Sequence, residues 1–121
     1  MPLEMLGTSP RHLSPAVRAG DFVFISGQLP MDAQGRVVEG GIEPQTRQVF
    51  EHLRSTLALA GCGLRDVCKV TVWLQDAADF GGFNRVYAEA FGDHKPTRST
   101  VQARLMIDAK VEIEVTAFKP A

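Results

Sequence analysis

The chain reads as an α+β domain, a mixed sheet with two helices on one face. Three observations predict this. Four or more segments alternate polar and apolar residues, as half-buried strands do. Two longer segments repeat apolar residues every three or four positions, as helices do. The segments follow one another as strands, helix, strand, helix and two strands, the order of an α+β layer structure. At 121 residues, 45% of them hydrophobic, the chain has material for one core and reads as one domain, 1–121.

The first strand pair runs through Ala16-Val17-Arg18, turns at Ala19-Gly20 and returns along Asp21 to Ser26. Gly27 to Pro30 breaks it, Asp32 to Gly35 reads as a turn, and Arg36-Val37-Val38 reads as a short strand. The first helix takes Pro44 in its first turn, where no N–H is needed. Its stripe is Val49, Phe50, Leu53 and Leu57, and Gly61 and Gly63 end it. Val67 to Leu74 is an alternating strand rich in β-branched residues. Asp76 or Asp79 caps a second helix with the stripe Phe80, Phe83, Val86, Tyr87, Ala90 and Phe91, and Gly92 stops it.

Two strands close the chain. In the first, Arg98, Thr100, Gln102 and Arg104 alternate with Ser99, Val101, Ala103 and Leu105. In the second, Glu112, Glu114 and Thr116 alternate with Val111, Ile113 and Val115. Period two gives each strand one apolar and one polar face. The helices are expected on the face of Val70, Val72, Leu74, Val101, Ile113 and Val115. The opposite face then carries Lys69, Thr71, Trp73, Arg98, Thr100, Glu112 and Glu114. Such a face, charged yet holding a tryptophan, predicts a contact with further copies of the chain. If the last two strands pair as a hairpin, the Arg98 guanidinium and the Glu112 carboxylate meet on one surface. That pair reads either as an interstrand ion pair or as a carboxylate grip beside a water-holding base.

Bulk properties exclude several functions. The net charge is -1, with no basic block, which argues against a binder held by phosphate neutralisation. The N-terminal Met1 to Met5 lacks the basic start and apolar run of a signal peptide, and no stretch approaches the roughly 20 apolar residues of a membrane span. Cys62 and Cys68 read as free thiols in a reducing cytoplasm. His12, His52 and His94 show no metal spacing and read as surface residues, so no metal site is expected.

The segments Phe24-Ile25-Ser26-Gly27-Gln28-Leu29-Pro30, Gln45-Thr46-Arg47-Gln48-Val49, Lys69-Val70-Thr71-Val72, Asp79-Phe80, Asn84-Arg85-Val86-Tyr87, Pro96-Thr97-Arg98-Ser99 and Val111-Glu112-Ile113-Glu114 resemble, in order and spacing, the RidA (YjgF) family of reactive-intermediate deaminases. The resemblance runs from about Ser14 to Phe118. It implies a chorismate-mutase-like protomer, a homotrimer, and active sites in clefts between subunits. It implies hydrolysis of small 2-imino acids, or their 2-aminoacrylate tautomers, to 2-keto acids and ammonia without a cofactor. Arg98 matches the substrate-binding arginine and Glu112 the glutamate that holds the hydrolytic water. Ser26 and Gly27 match pocket-lining positions, with a plain strand end as the alternative. Asn84 matches an asparagine near the cleft, with a helix-surface residue as the alternative. Thr100 stands where many members have a cysteine, and its backbone amide is the expected ligand contact.

Two departures from the family pattern stand out. Ser14-Pro15-Ala16 replaces Gly-Pro-Tyr, which puts Ala16 in the place of a pocket tyrosine. The segment Gln102 to Ile107 lacks a proline and is one residue shorter, a change the turn at Ile107-Asp108-Ala109 is expected to absorb. Two other functions remain alternatives: a non-enzymatic binder of small carboxylates using the same cleft, and an endoribonuclease or translation inhibitor, which the charge disfavours.

Overall fold

A computed structural model describes residues 2–120. Met1 and Ala121, the ends of the expected domain span, lie outside the described residues. The elements in chain order are β1 (Glu4–Leu6), β2 (Ala16–Ala19), β3 (Phe22–Gln28), α1 (Ile42–Ala58), β4 (Val67–Leu74), α2 (Phe80–Phe91), β5 (Thr97–Gln102) and β6 (Val111–Phe118). The six strands form one mixed sheet in the order β1-β2-β3-β6-β4-β5. β5 runs parallel to β4, and the other neighbours are antiparallel. The parallel pair requires a crossover, which α2 supplies.

The α+β layer arrangement expected from the periodicities is present. Val49, Phe50, Leu53 and Leu57 of α1 and Phe83, Val86 and Phe91 of α2 are buried against Val23, Ile25, Val70, Val72, Ile113 and Val115 of the sheet. The Asp76 carboxylate accepts from the Ala78 amide at 2.9 Å, capping a short 3₁₀ turn that feeds α2. Asp79 makes no such side-chain cap. Gln45, buried in α1, accepts from the Lys110 amide at 2.8 Å and ties the helix to the entry of β6.

Four expectations need correction. β5 and β6 are not a hairpin: β4 lies between them. Hairpin pairing is the local default, but α2 returns the chain to the far edge of β4 instead. The face of β5 is also inverted. Its register sets Arg98 beside Val70 and Thr100 beside Val72, so Arg98 and Thr100 lie on the helix face. Val101 lies on the open face and is 48% exposed. On this edge strand the helix layer is only partial cover, so polar side chains are tolerated there. β1 adds a strand that a three-residue segment gave no pattern for. The expected strand at Arg36 to Val38 is a single bridge, Met31 with Val37.

The open face carries an aromatic patch at one end of the β3–β6 pair. Phe22 and Phe24 of β3 and Phe118 of β6 are 44%, 47% and 45% exposed there. Phe22 and Phe118 meet edge-on at 5.1 Å. Gln102, the first residue of the shortened segment, ends β5, and the rest of the segment lies in the loop 103–110 before β6.

Candidate functional site

The expected site residues fall into two groups on opposite faces of the sheet. Arg98, Asn84 and Thr100 form the first, on the helix face at the β5 edge. One guanidinium nitrogen of Arg98, Nη1, donates to Asn84 Oδ1 at 2.8 Å. The guanidinium carbon lies 4.6 Å from the centre of the Tyr87 ring, with Phe80 and Phe83 at 5.5 and 5.6 Å. This is a cation held over aromatic faces, an attractive arrangement in a half-buried site. Asn84 is therefore tied to Arg98 through its oxygen, and its amide N–H groups are not used in that bond. Arg98 forms no ion pair among the described residues, so the interstrand ion pair considered from the sequence is absent. The Thr100 hydroxyl is buried without a hydrogen-bond partner. A buried hydroxyl left unpaired costs free energy and is a candidate for a ligand contact.

Ser26, Gly27 and Glu112 form the second group, on and beside the open face. Glu112 pairs across the ladder with Trp73. The register between β3 and β6 shifts between Ile25 and Gln28, a bulge that holds Ser26 and Gly27. A Cβ at position 27 would run into Glu112 Oε2, so glycine here is what lets the carboxylate lie against the β3 backbone. The Ser26 hydroxyl donates to the Ser14 carbonyl at 2.7 Å, and its amide to the Pro15 carbonyl at 3.0 Å. Burial raises the proton affinity of Glu112, and the neighbouring Glu114 charge raises it further. A carboxylate so shifted is a better proton acceptor than an exposed one. A cleft of about 430 Å³ opens beside this group, walled by Leu13, Pro15, Ser26, Gly27, Gln28 and His52.

Arg98 and Glu112 do not meet within one chain. Two strand spacings and a three-residue offset along the strands, about 14 Å in all, separate their backbones, and their side chains leave the sheet on opposite sides.

Three further placements differ from expectation. Ala16 is buried in the core and pairs with Ile25, so a larger residue there would point into the core rather than a pocket. His52 and His94 are half-buried, with Nε2 atoms 2.6 Å from the Met31 carbonyl and 2.7 Å from the Val67 carbonyl. Tyr87 and Phe80, read as core stripe, flank Arg98; their spacing of three or four residues from Asn84 was the signal available. Among the described residues no group of three or more His, Cys, Asp or Glu is disposed to hold a metal, and no helix is long and apolar enough to cross a membrane.

Comparison with known proteins gives a consistent result. A RutC family protein of Pyrococcus horikoshii is 50% identical over 108 residues, covering 88% of this chain and 86% of that protein. TdcF of Escherichia coli, named a putative reactive intermediate deaminase, is 37% identical over 120 residues, covering 93% of each. The crystal structure of yeast Mmf1, a protein named mitochondrial, superposes with a TM-score of 0.93 at 35% identity, covering 98% of this chain and 99% of that one. RidA from a Psychrobacter species superposes at 0.89 with 34% identity, covering 95% and 98%. Other solved neighbours carry the names endoribonuclease and translation initiation inhibitor. The family model described as Endoribonuclease L-PSP matches residues 7–119, and the chain belongs to that family, the RidA (YjgF) family its motifs resemble.

Proposed function

We propose that the protein hydrolyses small 2-imino acids and 2-aminoacrylate-type enamines to 2-keto acids and ammonia. The site is assembled between copies of one-domain chains, in a homotrimer resident in the cytoplasm. Arg98 of one copy grips the substrate carboxylate in a bidentate fork. Glu112 of another copy holds the water. As the water oxygen bonds to the imine carbon, Glu112 takes a water proton and passes it to the nitrogen. The carbinolamine then forms its carbonyl, the C–N bond breaks, and the hydroxyl proton leaves with ammonia. Ser26 and Gly27 shape the wall against Glu112, and the Thr100 amide and hydroxyl contact the bound acid.

The observation that carries this reading is the state of Arg98. It is held by Asn84 and an aromatic bed, yet has no carboxylate partner among the described residues. A half-buried guanidinium with spare N–H groups is suited to an anionic ligand. The raised proton affinity of Glu112 supports its part, and TdcF, named a putative deaminase, supports the reaction class.

The test is direct. 2-Iminopropanoate generated by an amino-acid oxidase should disappear faster with the protein, and Arg98→Ala should abolish the gain. Decay at the spontaneous rate with wild type would sink the deaminase reading. Thermal stabilisation by pyruvate in that case would leave a carboxylate binder.

A further inference from the structure

We propose that Tyr87 is a positioning residue for the proposed substrate grip: its ring fixes the plane of the Arg98 guanidinium, so the fork is set before a carboxylate arrives. This rests on the reading of Arg98 as that grip.

Arginine ends a long, rotatable side chain, and ordering it at the moment of binding weakens affinity. Two contacts remove that freedom here. Asn84 takes one N–H of Nη1. The Tyr87 face, at 4.6 Å, is closer to the guanidinium carbon than Phe80 or Phe83. One contact fixes a corner of the plane and the other fixes its tilt. Asn84 and Tyr87 lie three residues apart on α2, where helical side chains are neighbours, so one helix carries both.

The ring is itself packed among three others. Phe91 lies 4.8 Å from it, Phe83 5.5 Å and Phe50 5.9 Å, centre to centre. Its hydroxyl does not hold it in place. That group is buried with no partner in hydrogen-bond geometry. Burial raises the phenol's proton affinity, while the Arg98 charge and a close approach of the Arg98 side chain, outside good hydrogen-bond geometry, oppose this, so the phenol stays neutral. The aromatic face is therefore the part of Tyr87 that acts on Arg98, which makes Phe an adequate replacement and an aliphatic residue an inadequate one.

The experiment compares wild type, Tyr87→Phe, Tyr87→Leu and Arg98→Ala. Pyruvate binding is measured by calorimetry, and KM and kcat are measured with 2-iminopropanoate. Tyr87→Leu should weaken pyruvate binding and raise KM about tenfold with kcat within about twofold, and Tyr87→Phe should match wild type. The Arg98 Nε–H proton signal, displaced by the ring in wild type and Tyr87→Phe, should return to its ordinary position in Tyr87→Leu. If Leu disrupts the aromatic cluster, seen as a lost cooperative melt, Tyr87→Met fills the space without a ring and should give the same losses. Tyr87→Leu or Tyr87→Met binding like wild type, while Arg98→Ala does not bind, overturns the positioning role and leaves the grip standing. Arg98→Ala binding like wild type, or wild type failing to bind, overturns both.

Discussion

At the scale of single residues, Arg98 and Glu112, the two charged groups proposed to carry the chemistry, leave one chain's sheet on opposite sides. Pro96-Thr97-Arg98-Ser99 and Val111-Glu112-Ile113-Glu114 mark Arg98 and Glu112 by composition and order. Alternation says that each strand has two faces. It does not say which face of an edge strand meets the helices. Arg98 lies on the side opposite to the one expected. Tyr87 was hidden for a related reason, because a stripe of helical period looks the same whether a ring packs in the core or under a guanidinium. Glu112 offers a stability prediction. Its folded proton affinity is raised, so the folded state holds its proton more tightly than the unfolded state. Stability should therefore fall as pH rises from the ordinary carboxyl range, about 4, through the raised folded value. Glu112→Gln removes that penalty. Thermal melts should show the variant more stable than wild type at neutral pH, with the gap closing below about pH 4, while imine hydrolysis is lost.

At the scale of elements, the strong periodicities of α1, β4 and α2 reappear at close to the expected bounds. Their apolar stripes are long enough to set the period. β1 was illegible because three residues make no alternation, and the β5–β4 pairing was illegible because it depends on where α2 returns the chain. The β3 bulge is the element that brings backbone and carboxylate together. Gly27→Ala tests it. The methyl group meets the mobile end of Glu112 rather than backbone, so the fold should lose only about 1 kcal/mol in chemical denaturation, at the low end of the usual range for overpacking. Activity should drop more than about tenfold because the carboxylate is displaced. Full activity in the Gly27→Ala variant would mean that the Glu112 position seen here is not the working one.

At the scale of the whole molecule, the proposed assembly would account for the exposed phenylalanines of the open sheet face, at one end of the β3–β6 pair. Phe22, Phe24 and Phe118 share that face with Glu112, and the Arg98 group lies on the other side of the sheet. A second copy covering the open face would bury the phenylalanines and bring an arginine to the glutamate. Phe24→Glu should leave the protomer folded by circular dichroism but shift its sedimenting mass to that of the monomer and remove activity. Retained assembly would place the contact elsewhere.

The composite site is tested most directly by mixing two inactive variants. Arg98→Ala and Glu112→Gln chains, each inactive alone, are unfolded together and refolded as mixed assemblies. If every site takes Arg98 from one copy and Glu112 from another, random mixing restores both wild-type halves in about a quarter of the sites, and about a quarter of wild-type imine hydrolysis returns. Verified mixed assemblies that remain inactive would contradict a site shared between copies.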